Sequence, residues 1–330
     1  MGAHANISVF VPHIGCPNKC SFCNQCHISG ATNAPTQSSV DEAVKIATDS
    51  KNYDPKNTEI AFFGGSFTAI DRDYMIRLLK AAYKYVKNGS VSGIRISTRP
   101  DAIDEEILGL LKGYGVTAIE LGAQSMSDKV LKLNNRGHSS EDVKKSSALI
   151  KEYGFSLGLQ MMTGLYGSDD STDIYTAKEL ISLAPETVRI YPTIVLKDTD
   201  LALLYNEGKY KPQTVQKAAI LCGELLEMFE KTNIRVIRLG LHSIEDDKLV
   251  AGPWHPAFSE ICQSKIFLKN ALKLMGEKGI YNIFVNKSSV SKMIGQNREN
   301  IKAMEDKGFF CKIKTDDNLG KNDIRIEVEE

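Results

Sequence analysis

Ile7-Ser8-Val9-Phe10-Val11, followed by Cys16-Pro17-Asn18-Lys19-Cys20-Ser21-Phe22-Cys23-Asn24-Gln25-Cys26, joins a short apolar run to a loop that holds four of the chain's seven cysteines. The run reads as a buried strand. Residues 60–63, 94–97, 118–121, 157–161 and 188–195 are similar runs, and between them lie amphipathic stretches of helical period at 40–49, 74–86, 104–111, 141–152 and 173–183. Ser39 and Ser140 are the expected helix N-caps. Six βα units with strands this apolar imply a parallel sheet covered by helices, either a partial barrel or a doubly wound sheet. The unusual residues separate the two. The cysteine loop, Gly64-Gly65-Ser66, Arg99-Pro100, Gln124, Gly164 and Pro192 all fall at or just after strand C-terminal ends, which converge on one mouth in a barrel. The expected fold is therefore α/β, a partial (βα)6 TIM-type barrel with a helix–strand extension over residues 213–241.

Crowding of the first four cysteines asks for a metal. Three thiolates at x3 and x2 spacing can hold three irons of one cubane and leave the fourth iron open to substrate. A structural zinc site more often splits its ligands into two separated pairs, and Cys222, Cys262 and Cys311 are scattered singly. A zinc knuckle using Cys26 or His27 and a closed four-cysteine electron-transfer cluster are the alternatives. A disulfide framework is not expected, because a chain this long needs no staples and its N-terminus, Met1-Gly2-Ala3-His4-Ala5-Asn6, lacks an apolar secretory segment. The thiols thus imply a reducing, cytoplasmic setting. No stretch approaches the roughly 20 apolar residues of a membrane span. Formal charge is zero, with 41 basic and 41 acidic residues, so any nucleic-acid contact must come from a local patch.

Cys16-x3-Cys20-x2-Cys23, with Phe22 before the last cysteine, resembles the radical S-adenosylmethionine (SAM) superfamily, and Gly64-Gly65-Ser66-Phe67-Thr68 resembles its glycine-rich strand end. Ser97-Thr98-Arg99-Pro100-Asp101, Glu120-Leu121-Gly122-Ala123-Gln124-Ser125, Asn135-Arg136-Gly137-His138 and Ile190-Tyr191-Pro192-Thr193-Ile194-Val195 are similar to the catalytic subunit of Elongator and its bacterial relatives. The resemblance runs in order over about residues 7–256. It implies that Cys16, Cys20 and Cys23 hold a [4Fe-4S] cluster, that SAM chelates the open iron, and that an electron from the cluster yields a 5′-deoxyadenosyl radical. It further implies backbone carbonyls of Gly64, Gly65 and Ser66 near the SAM amine. Gln124 and Arg136 match SAM contacts of the related oxygen-independent coproporphyrinogen oxidases, where a guanidinium suits the methionine carboxylate. Gln160 stands at the ribose-contacting position, where those oxidases have an acid. Ser97 stands where the Elongator subunit has a glutamate, and no acetyltransferase domain is expected here.

Arg99, Tyr191, Lys197, His242, Trp254 and His255 are candidates for the substrate side of the mouth. Beyond residue 256 the rhythm changes to a β-α-α-β-β pattern, which sets the expected division into a barrel of residues 1–256 and a C-terminal α+β module of residues 257–330. Within it, Gly295-Gln296-Asn297-Arg298 between two short helices resembles a degenerate GXXG turn of a KH domain, a turn that clamps about four nucleotides. Residues 287–314 carry seven basic and three acidic side chains, a local excess of four positive charges that includes Arg298 and Lys302. The expected function is radical SAM modification of RNA, with tRNA as partner and a flavodoxin or ferredoxin as electron donor. Radical chemistry on a small molecule such as a tetrapyrrole, and an iron–sulfur carrier or RNA-binding protein without SAM turnover, are the rival expectations.

Overall fold

The computed structural model describes residues 4–12, 20–24, 34–241, 244–245 and 247–329. Cys16, Cys26 and His242 lie outside these. Strands β1 (Ala5–Val11), β2 (Thr58–Gly64), β3 (Gly93–Thr98), β4 (Val116–Gln124), β5 (Ser156–Thr163) and β6 (Thr187–Pro192) pair in parallel in sequence order. Between them run α1 (Gln37–Thr48), α2 (Arg72–Lys87), α3 (Glu105–Gly113), α4 (Asp128–Leu133), α5 (Ser140–Glu152) and α6 (Asp170–Ser182). The run expected at 188–195 is two strands. It ends at Pro192 and resumes as β7 (Val195–Leu196), which pairs away from the main sheet. After α7 (Asp200–Asn206), the expected extension forms α8 (Val215–Lys231) and β8 (Arg235–Leu239), and β8 joins β6 as the seventh parallel strand. The sheet curls as a half barrel with β1 and β8 at its open edges.

Alternation sorts the side chains. Ile60, Phe62, Ile94, Ile96, Ile119, Leu121, Leu157 and Leu159 point to the outer face and pack under helices in the main core, while the intervening positions face the lumen. Two helix starts lie earlier than expected. Thr36, not Ser39, caps α1, because the Ser39 hydroxyl instead accepts from the Thr36 N–H at 3.1 Å as the third residue of a capping box. Ser139, not Ser140, caps α5 through the same reciprocal pairing with Asp142.

After β9 (Leu249–Ala251), helix α9 (Phe258–Leu274) leads into β10 (Gly279–Val285), α10 (Val290–Ile294), α11 (Glu299–Glu305), β11 (Phe309–Thr315) and β12 (Ile324–Val328), the expected β-α-α-β-β order. β10 lies centrally, parallel to β11 and antiparallel to β12. Helix α9 serves two cores: Phe258, Ile261 and Cys262 pack on the barrel, and Phe267, Ala271 and Met275, just past its end, pack on the small sheet. The division expected at residue 256 thus falls at the start of a helix shared by both.

Candidate active site

Strand ends build the mouth. Gly64 closes β2 at φ +110, and a Cβ there would stand 2.4 Å from the Val11 carbonyl oxygen, so only glycine lets β2 leave the sheet this close to β1. Gly65 N–H donates to that same carbonyl at 2.9 Å. The Ser66 hydroxyl lies 2.7 Å from Thr98 Oγ1 and accepts from Arg99 N–H at 3.1 Å, tying the β2 loop to the end of β3.

Residues 20–24 are pinned from two sides. Ser21 donates through N–H and Oγ to the backbone and side-chain oxygens of buried Asn134, at 3.1 and 2.8 Å, and its carbonyl accepts from Leu201 N–H at 2.8 Å. Phe22 packs against two buried clusters, one of Val130, Met162 and Leu165 and one of Val195, Leu201, Ala202 and Tyr210. This anchorage presents Cys20, buried, and Cys23, half-buried, on one turn, with Cys23 N–H donating to Cys20 O at 3.0 Å.

Arg136 reaches this turn from the loop after α4. Its Nη1 lies 3.2 Å from Cys20 Sγ and its Nη2 donates to Gly122 O at 2.7 Å. Its Nε is buried and has no partner among the described residues. His138 backs the guanidinium, with Nδ1 3.4 Å from Arg136 Nη2 and Nε2 3.1 Å from Ala123 O. Both contacts are satisfied by a neutral ring protonated at Nε2. Burial, reinforced by the Arg136 charge, pushes the His138 pKa down to about 4 and keeps the ring neutral. Gln124 adopts φ +64 where the β4–β5 register slips, and its Oε1 lies 3.5 Å from Gln160 Nε2. Arg136 thus lies beside Cys20, with Gln124 near it across Gly122 and Gln160 next to Gln124.

Deeper in the lumen lies a set of charges that sequence reading left without a role. Arg95 bridges Glu59 at 2.9 Å and Glu120 at 3.3 Å, and Arg189 grips Glu120 through two bonds of 2.6 and 2.9 Å. Gly158 makes room, since a Cβ there would stand 2.8 Å from Glu120 Cγ. Burial alone would lower the Arg189 pKa, but attraction to Glu120 outweighs it and the net shift is upward. Single charges on four otherwise apolar strands (Glu59, Arg95, Glu120, Arg189) were the available signal, and they read equally well as solvent-facing.

The substrate candidates scatter. Arg99 is clamped bidentately on Asp101 at 2.9 Å for each bond. Tyr191 faces the lumen beside Arg189, and burial raises its phenol pKa. Lys197 is exposed just after β7. His255 accepts the Ala257 N–H on Nδ1 at 3.0 Å at the start of α9. Arg298 and Lys302 are exposed on the turn and helix of the C-terminal module. That turn runs through positive φ at Gly295, Asn297 and Arg298.

The model of the radical SAM superfamily matches residues 10–180. The chain belongs to that superfamily. A radical SAM C-terminal domain model matches residues 185–267, which span β6 to mid-α9. Radical SAM members bind a [4Fe-4S] cluster and S-adenosylmethionine, and this chain is a radical SAM enzyme. It is 27% identical over 241 residues to the tRNA uridine(34) acetyltransferase of Dehalococcoides mccartyi, covering 62% of this chain and 52% of that one. Human Elongator complex protein 3 is 32% identical over 190 residues, 52% of this chain and 35% of its own. The chain thus spans about half the length or less of these relatives. An archaeal Elp3 structure from Methanocaldococcus infernus shares the fold at TM-score 0.68 and 23% identity, over 82% of this chain and 64% of that one.

The described residues fit these two groups. Two thiols of the expected three share one turn. Beside them, a guanidinium with an orphaned N–H is a ready partner for a carboxylate. Gly122 leaves open the space where a Cβ would meet Gln124 Nε2 at 3.1 Å and Arg136 Nη2 at 3.6 Å. Among the described residues no helix is long and apolar enough to cross a membrane.

Proposed function

We propose that this radical SAM enzyme modifies RNA, with tRNA as its substrate. In this reading Cys16, Cys20 and Cys23 hold the cluster, which when bound supplies the electron that cleaves SAM to a 5′-deoxyadenosyl radical. The observation that carries the site assignment is Arg136. Its fork is fixed by Cys20 and Gly122, and its unpartnered Nε–H is left to bind the methionine carboxylate. Gln124 and Gln160 bind the adenosine side through their amides. Gly64, Gly65 and Ser66 bring backbone carbonyls to the SAM amine. Phe22, Met162 and Tyr191 wall the mouth with apolar surface and exclude water from the radical.

Two observations support RNA as the substrate: the likeness to enzymes named for tRNA uridine 34 and the local positive charge of residues 287–314. A cytoplasmic location and an electron donor of the flavodoxin or ferredoxin class follow from this reading. Nucleoside mass spectrometry of tRNA and rRNA from a strain lacking the gene tests it. One modified tRNA nucleoside is expected to disappear. An unchanged nucleoside profile would overturn the RNA assignment in favour of a small-molecule substrate. The cluster assignment has its own test: Cys20→Ala and Cys16→Ala are expected to lose reconstituted iron while Cys26→Ala keeps about four irons per chain, and a cluster dependent on Cys26 would contradict it.

A further inference from the structure

At the open edge of the half barrel, where β8 ends at the mouth, a cavity of about 530 Å³ runs between the barrel and the C-terminal module. One wall comes from Arg238 and Leu241 at the end of β8, another from His255 and Ser259 at the start of α9, and the far wall from Ser291 and Lys292 on α10. A second cavity of about 630 Å³ adjoins it along the β8 edge, sharing Arg238, Leu239, Ser259 and Gln263. Of its lining residues only His255 was singled out from the sequence, and both cavities join the β8 edge to the C-terminal module.

Its chemistry is that of an anion site. His255 Nδ1 is occupied as the acceptor for Ala257 N–H, so in the neutral ring the proton sits on Nε2 and that nitrogen is a donor. Arg238 spends Nε on Gly240 O at 3.1 Å and Nη2 on Leu241 O at 2.8 Å, which fixes its guanidinium at the cavity wall. Lys292 adds an ammonium, and Ser259 and Ser291 add hydroxyls. Against these stand Glu260, exposed on the wall of the cavity itself, and Glu230 of the adjoining cavity, whose charge is felt by Lys292. The volume accommodates a nucleotide but not a folded domain.

We propose that this junction cavity binds a phosphate of the RNA strand that leads from the C-terminal module to the base at the barrel mouth, with Lys292 and His255 as its principal contacts. The proposal rests on the RNA reading above and names where on the chain the strand is held. It also accounts for His255, which lies on the rim but accepts from backbone instead of facing the lumen strands.

The test is the salt dependence of tRNA binding by the reconstituted full chain, measured by fluorescence anisotropy from 50 to 300 mM salt. Each phosphate contact contributes about 0.7–0.9 to the slope of log K against log salt. Lys292→Ala is expected to lower the slope by about that amount, and Lys273→Ala, on α9 and outside the cavity, to leave it unchanged. His255→Leu is expected to weaken binding several-fold, and His255→Gln, which retains a donor at the same reach, to restore most of it. Unchanged slope and affinity in Lys292→Ala and His255→Leu, with tRNA binding intact, would overturn the subsite while sparing the RNA reading. Absence of tRNA binding by the wild-type protein would overturn both. Inorganic phosphate titrated in parallel separates the sources: Lys292-dependent phosphate binding with no change in the tRNA slope would assign the cavity to a free anion and contradict the proposal.

Discussion

The seven-stranded sheet holds Glu59, Arg95, Glu120 and Arg189 on its concave face, with side chains 4–13% exposed, whereas the three-stranded sheet of the C-terminal module carries Lys312, Lys314, Arg325 and Glu327 on its outer face in water. Both sheets alternate apolar and charged residues, so the patterns look alike in sequence. They differ in what lies opposite. A curled sheet faces its own charges across a lumen, and each must then find a partner. The outer face of the three-stranded sheet leaves them solvated, where pairing contributes little. Buried charges that are paired make the floor of the barrel, and at the mouth Arg136 Nε, buried and without a partner among the described residues, is where a ligand is expected.

The sharpest way to break this comparison is to remove one carboxylate from each sheet. Glu120→Ala leaves Arg95 and Arg189 without their shared partner and is expected to cost about 3–5 kcal/mol in chemical denaturation. A cost below 1 kcal/mol would mean the lumen is wet and the contrast false.

Asp173 extends the argument to a buried acid whose partners are neutral. It accepts from Gly164 N–H at 2.8 Å and Ser168 Oγ at 2.6 Å, yet burial outweighs those bonds and raises its pKa to about 6. Because the folded pKa lies above the unfolded one, ionisation penalises the native state. The penalty is absent below about pH 4, grows between pH 4 and 6, and is full above that. Asp173→Asn is therefore expected to gain stability relative to wild type as pH rises through this window, by on the order of 3 kcal/mol. A stability difference independent of pH from 4 to 7 would refute the assignment.

Arg136→Ala probes the unpaired nitrogen. Anaerobic calorimetry is expected to show SAM binding weakened by about 1.5–3 kcal/mol, roughly ten- to hundredfold, and wild-type affinity would remove Arg136 from the SAM site. The smallest effect belongs to the module. Glu329→Gln, which breaks the exposed 2.6 Å pair with Lys312, is expected to change stability by about 0–1 kcal/mol. A larger loss would show that the outer sheet face is not solvated as described.

These contrasts also mark what could be read from sequence. Strands β1 to β5 were legible because they are short apolar runs bounded by turn residues, and the mouth was legible because Gly64, Gln124 and Pro192 sit at strand ends. Pairing was not. Nothing local tells Glu120 that Arg95 and Arg189 will converge on it from strands 25 and 69 residues away. Gly158 hinted at this, since a glycine inside an apolar strand marks a close approach, but the approaching side chain is identified only by register. The merging of β8 into the main sheet and the sharing of α9 by two cores likewise depend on contacts across more than 40 residues, which periodicity does not encode.

The most direct test of the central claim is to quantify 5′-deoxyadenosine released by the anaerobically reconstituted enzyme with SAM and reductant, with and without tRNA from the deletion strain. SAM cleavage stimulated by that tRNA, with the missing nucleoside restored in it, is the expected result. Cleavage indifferent to tRNA, with no change in any nucleoside, would contradict the account.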